Sequence, residues 1–173
     1  MGKEQLFVVA LMLGLLGIAV VSDLRRHRIP NLLVLVGLGL GIAGQVYSSG
    51  VIGFGYGLLG MLIGFAVFLP LYAFGGMAAG DVKLMAMVGT FLTPQHALWA
   101  AFFSLIAGGA CGVLIVLVRG QVQQTMGRYW QILRARAYFS PADDEVAGKP
   151  FPYSVAILLG TLASFYLWLP LGQ

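Results

Sequence analysis

An all-α, polytopic membrane protein, a bundle of about six transmembrane helices, is the fold class that this sequence predicts on three observations. Hydrophobic residues make up 60% of the 173 and charged residues 9%, with a mean hydropathy of +0.92. A soluble domain carries about 25% charged residues, so the chain lacks the polar surface to cover a soluble fold. Its apolar residues fall into runs near the roughly 20 residues that a span needs, and polar or glycine-rich breaks separate them. The basic residues collect in alternate breaks, as cytoplasmic loops do. A net charge of +4 is then explained by the inner face of a membrane and its lipid, and it calls for no nucleic-acid partner.

The first apolar run covers residues 6–21 and is followed by Asp23, Arg25, Arg26 and Arg28. Secretory signals carry their positive charge ahead of the run, so a retained helix is expected, with its arginines in the cytoplasm and the N-terminus outside. Ile29-Pro30-Asn31 interrupts it, because the residue before a proline avoids helical geometry and proline is tolerated in a first helical turn. A second helix is expected over about 31–46, an outer turn at Tyr47-Ser48-Ser49-Gly50, and a third helix over 51–74. Gly37/Gly41, Gly53/Gly57 and Gly60/Gly64 have the small-xxx-small spacing that lets membrane helices pack backbone to backbone.

Residues 82–92 are short for a span. Either a tilted helix extends through Thr93 and Pro94, or residues 76–80 dip into the bilayer and leave Asp81 in a protein-lined cavity that water reaches. The second arrangement is the expected one. A fifth helix covers 97–118, with Arg119 as its cytoplasmic anchor. Within the polar segment at about 119–150, Val122, Met126, Tyr129, Trp130, Leu133 and Ala137 recur at helical spacing opposite Gln124, Arg128 and Gln131. That pattern suits an amphipathic helix in the cytoplasmic interface, either an anchored linker or a docking surface. A sixth helix opens after Pro152-Tyr153 and ends near Pro170, leaving the C-terminus outside and residues 1–173 as a single membrane-embedded domain.

In this topology nine of the ten basic residues (Arg25, Arg26, Arg28, Lys83, Arg119, Arg128, Arg134, Arg136 and Lys149) lie on the cytoplasmic side and only Lys3 lies outside. It also brings Asp23 and Asp81 to the same face of the membrane. Ionisable groups at membrane depth cost about 2.5 kcal/mol or more, so those that persist are functional candidates. Two close carboxylates cannot both ionise readily, and a pair sharing one proton can hydrolyse a peptide bond, one as base towards water and one as acid towards the carbonyl. Helix ends suggest Asp81, at a helix start, as the base and Asp23, at a helix end, as the acid. Each also has an ordinary structural reading, Asp23 as a charge at an interface and Asp81 as an N-cap. A proton or ion relay in a small transporter is the rival from another class. The single cysteine, Cys111, offers neither a disulfide framework nor a Cys-x-x-Cys metal site.

Asp23-Leu24-Arg25-Arg26-His27-Arg28-Ile29-Pro30-Asn31, Gly80-Asp81-Val82-Lys83-Leu84-Met85 and Pro152-Tyr153-Ser154-Val155-Ala156 resemble three elements of the type IV prepilin peptidases, membrane aspartyl proteases of the Gly-x-Gly-Asp type. Ala78 stands where that family has its first glycine. The resemblance implies Asp23 and Asp81 as catalytic, with Gly80, Lys83, Arg25, Pro30 and Asn31 supporting the site or binding substrate. It implies no metal and no organic cofactor. The implied activity is an endopeptidase that removes the basic leader of a prepilin or pseudopilin at the cytoplasmic face of the bacterial inner membrane. Long members carry paired Cys-x-x-Cys motifs associated with N-methylation. With one cysteine, the chain resembles the short peptidase-only branch that serves Flp (type IVb) pili, or the archaeal preflagellin peptidases, and no N-methyltransferase activity is expected.

Overall fold

The computed structural model describes residues 3–118, 120 and 152–171. Five helices, with no strand among the described residues, follow in the order α1 (Lys3–Arg26), α2 (Asn31–Ala73), α3 (Ala79–Phe91), α4 (Pro94–Val118) and α5 (Tyr153–Leu171). Leu6–Arg26, Asn31–Ala73 and Pro94–Val118 are long and apolar enough to cross a membrane, and Tyr153–Tyr166 is a shorter apolar helix. The amphipathic segment expected at about 119–150 lies outside the described residues, Gly120 excepted. Residues 3–107 and 152–171 belong to one compact unit, and the C-terminal end of α4 from Gly108 belongs to a second.

α2 is not a single rod. At Gly50 the backbone has φ 59° and ψ −136°, a region that glycine enters without the steric cost a Cβ would bring. A Cβ placed on Gly57 would lie 3.6 Å from the side chain of Ile42 and 3.7 Å from that of Gln45. Along a continuous helix, Ile42 and Gly57 would stand about 22 Å apart. The chain therefore reverses at Gly50 into two antiparallel arms, 31–49 and 51–73. Tyr47, Ser48 and Ser49, expected in the turn, remain helical, because one residue with positive φ suffices to redirect the chain.

α3 packs against both arms. On one side, a Cβ on Gly60 would overlap the carbonyl of Gly89, and one on Gly89 would overlap the carbonyl of Gly60. On the other, Gly37 and Gly41 face the side chains of Met87 and Thr90. The small-xxx-small spacing thus admits α3 at backbone distance. Of residues 81–92 only Lys83 is exposed. Leu84, Met85, Met87 and Val88 share one core with Met12 and Leu16 of α1, Phe68 of α2 and Ile157 of α5. Leu92, with φ −110° and ψ 156°, ends the helix, so the extension through Thr93 and Pro94 does not occur. Thirteen residues span about 20 Å, less than the ~30 Å hydrocarbon core. α3 is therefore no span by itself, and its first turn brings Asp81 to one end of this packed core.

Candidate active site

α1 runs past the end of its apolar stretch to Arg26, which puts Asp23 in the last helical turn. His27 takes φ 49°, and its N–H donates to the Asp23 carbonyl at 2.7 Å, closing the helix in the left-handed conformation common at helix C-termini. The Asp23 side chain turns inward and is buried. There it accepts a hydrogen bond of 2.6 Å from the hydroxyl of Ser154 to Oδ2. Ser154 is the second residue of α5, whose start is fixed against α2 by an edge-to-face contact between Tyr153 and Phe68, with ring centroids 5.9 Å apart.

Asp81 is buried too, but it is not the N-cap. That position belongs to Ala78, and Asp81 stands three residues on, where its Oδ2 accepts the Ala78 N–H at 3.3 Å. This is the carboxylate half of a capping box. Ala78 has φ −81° and ψ 152°, an extended backbone open to any residue, so alanine in place of glycine carries no strain. Burial pushes the Asp81 carboxyl from an ordinary 3.8 up to about 7, the negative charge of Asp23 acts in the same direction, and the Ala78 N–H opposes both. The two aspartates therefore form one electrostatic site. The helix-start position of Asp81 favours the charge, but loss of water acts the other way and outweighs it, which is opposite to the direction expected from the helix end alone.

The other expected site residues divide. Lys83 Nζ donates to Asn31 Oδ1 at 3.2 Å, tying the second turn of α3 to the first turn of α2 across an exposed edge of the site. Pro30, with φ −62° and ψ 127°, is the N-cap of α2 and acts through the backbone. Arg25 is exposed and lines, with Gly14, Ile18 and Pro30, an open groove on α1 to which neither aspartate contributes. Gly80 lies inside α3, not in the loop before it. A Cβ there would meet Ile29 at 3.5 Å, ordinary contact. Gly80→Ala is accordingly expected to leave the stability within about 1 kcal/mol of wild type and to retain activity, measured by unfolding in detergent and by turnover. Ser154 was given no role by the sequence. Its partner is 131 residues away, and the Pro152-Tyr153-Ser154 element was its only signal. No cluster of His, Cys, Asp or Glu suited to a metal occurs among the described residues.

A model of the type IV leader peptidase family matches residues 10–113. A Bacillus subtilis (strain 168) protein named prepilin leader peptidase/N-methyltransferase is 34% identical over 116 residues, covering 65% of this chain and 46% of its own length. A Myxococcus xanthus (strain DK1622) protein of the same name is 30% identical over 106 residues, covering 57% of this chain and 31% of its own. The chain thus spans less than half the length of these curated relatives. No solved structure matches it. Because the family match runs through more than half of an integral membrane chain and takes in both buried aspartates, the chain belongs to the type IV leader peptidase family.

Proposed function

We propose that this chain is an aspartic endopeptidase that removes the basic leader of a type IV prepilin or pseudopilin, of the type IVb (Flp) class that the sequence resemblance implies. The observation that carries the reading is the burial of Asp23 and Asp81 in one electrostatic site although they are remote in sequence. Among the described residues they are the only buried charged groups, so no chain of ionisable residues continues from them as an ion relay requires. The proposal covers leader removal and not methyl transfer.

In the reaction, Asp23 as carboxylate takes a proton from water while the water oxygen bonds to the scissile carbonyl carbon. Asp81 gives its proton to the carbonyl oxygen. The tetrahedral diol then collapses. Its carbon–nitrogen bond breaks, the leaving amine takes the proton held on Asp23, and Asp81 recovers the hydroxyl proton as the new carboxyl forms. One water is consumed, and the dyad returns to its starting state.

Orientation follows from charge. Arg25, Arg26, Arg28 and Lys83 surround the end of the core where the aspartates lie, and the positive-inside rule assigns that end to the cytoplasm. With the arms of α2 counted singly and α3 as a short helix within the bundle, about six helical segments result, and both termini lie outside. A precursor whose basic leader stays in the cytoplasm would present its cleavage site at this level.

The reading is tested with the full chain in proteoliposomes and a purified prepilin precursor. A leader-sized loss of mass is expected, and no cleavage under conditions where a known prepilin peptidase cleaves would sink it. The pH dependence has a definite sign. Asp81 acts as an acid and is raised to about 7, so the working form prevails below that value. The rate is expected to fall about tenfold per unit as pH rises beyond it, in an activity profile at saturating substrate. A rate that climbs through this range would overturn the assignment of Asp81 as acid.

A further inference from the structure

Five buried hydroxyls among the described residues divide four to one. Thr90 donates to the Met87 carbonyl, Ser104 to that of Ala100, Thr161 to that of Ile157 and Ser164 to that of Thr161, at 2.6 to 2.7 Å. All four return to the backbone of their own helix, which is how hydroxyls are usually satisfied in apolar surroundings. Ser154, fully buried, instead spends its proton on the side chain of Asp23. A serine kept dry in a helical core without a backbone partner is otherwise replaceable by alanine at little cost.

We infer that Ser154 is a positioning residue for the dyad: its hydroxyl fixes the Asp23 carboxyl group and keeps it as the base, so that the shared proton resides on Asp81. The inference rests on the peptidase reading for its catalytic meaning and on the 2.6 Å contact for its physical one. A hydrogen bond donated to a carboxylate oxygen is stronger than one donated to a neutral carboxyl, and so favours the ionised form. The first turn of α5 adds its positive dipole end on the same side. Among the described residues Asp81 receives no comparable side-chain donor; its partner is the Ala78 N–H, and burial dominates there. Among the described residues the other charged groups at this end are Arg25 and Arg26 on α1, Arg28 in the following loop and Lys83 on α3, all exposed, with Lys83 engaged by Asn31. None of them replaces a buried donor on Asp23 Oδ2. Two like carboxylates are thus made unlike by one hydroxyl from a third helix.

Ser154→Ala in the full chain tests this. The expected result is a kcat lower by roughly 10- to 100-fold, the worth of a hydrogen bond to a charged group, with KM within about twofold and the acid limb of the kcat profile displaced towards neutral pH. Infrared difference spectra at pH 6 give a second readout that needs no substrate. In the Ser154 protein the protonated-carboxyl band is expected to vanish in Asp81→Asn and persist in Asp23→Asn. In the Ser154→Ala background part of it should persist in Asp81→Asn, carried by Asp23. An unchanged kcat and acid limb would overturn the inference, as would a kcat loss that only follows a lowered melting midpoint while the profile stays in place. Failure of the wild-type chain to cleave any precursor would sink the peptidase reading alone, and the band pattern would still decide what Ser154 does.

Discussion

Asp23→Asn and Asp81→Asn are each expected to reduce precursor cleavage by roughly 10^3- to 10^4-fold, the range in which a positioned acid or base contributes. Asparagine keeps the shape of the side chain and an acceptor oxygen. In Asp23→Asn the Ser154 hydroxyl still finds an oxygen to donate to, and in Asp81→Asn the Ala78 N–H does too. Neither exchange opens a cavity, so melting midpoints should stay close to wild type and the loss should be chemical. The mechanism makes a sharper demand on the double variant. Acid and base act on one water and one carbonyl, so removing the second after the first costs almost nothing more, as for other catalytic groups that work as a unit. Losses that multiply in the double variant would show that the two aspartates act independently, and a single variant retaining a tenth of the activity would remove its aspartate from the chemistry.

The helices were legible in the sequence because apolar runs of spanning length admit few other folds in a chain with so little charge. The spacing of Gly37, Gly41, Gly60 and Gly64 marked where backbones approach, although not that α3 would be the partner on both sides. What local sequence could not supply was burial. Asp81 stands in the first turn of a helix, which by itself favours the charged form; only the packing of α1, α2 and α5 around α3 reverses this. The α2 turn was expected over more residues than it takes, for a related reason: the reversal falls at Gly50 alone. Tyr47-Ser48-Ser49-Gly50 has turn composition throughout, but serine and tyrosine cost a helix only fractions of a kcal/mol, so the arm stays helical up to Gly50. Ser154 lay inside the Pro152-Tyr153-Ser154 element but was given no role, because no periodicity links a buried hydroxyl to a carboxylate 131 residues away.

Gly60→Ala and Gly89→Ala are each expected to destabilise the protein by about 3 kcal/mol or more, the upper range for overpacking a core. At both positions the new methyl group would fall on a backbone carbonyl of the facing helix, which cannot rotate away as a side chain does. The second arm of α2 and α3 must then separate along their length. Once separated, they have room for a second methyl group, so the double variant should cost clearly less than the sum of the singles, a coupling expected only of groups in contact. Gly39→Ala and Gly55→Ala supply the contrast: nothing lies within 4 Å of a Cβ at either, and alanine there should be neutral or stabilise by up to about 1 kcal/mol. Unfolding titrations in mixed micelles measure all four. The same displacement reaches the site, because α3 carries Asp81 while Asp23 is held from α1 and α5. A shift of about 1 Å in a catalytic group can cost about 10^2-fold in rate, so Gly60→Ala and Gly89→Ala should lose turnover even under conditions where they remain folded, with Gly39→Ala unaffected. Equal stability and equal turnover across the four would mean that α3 is not locked against α2 through these glycines, and that the placement of Asp81 has some other origin.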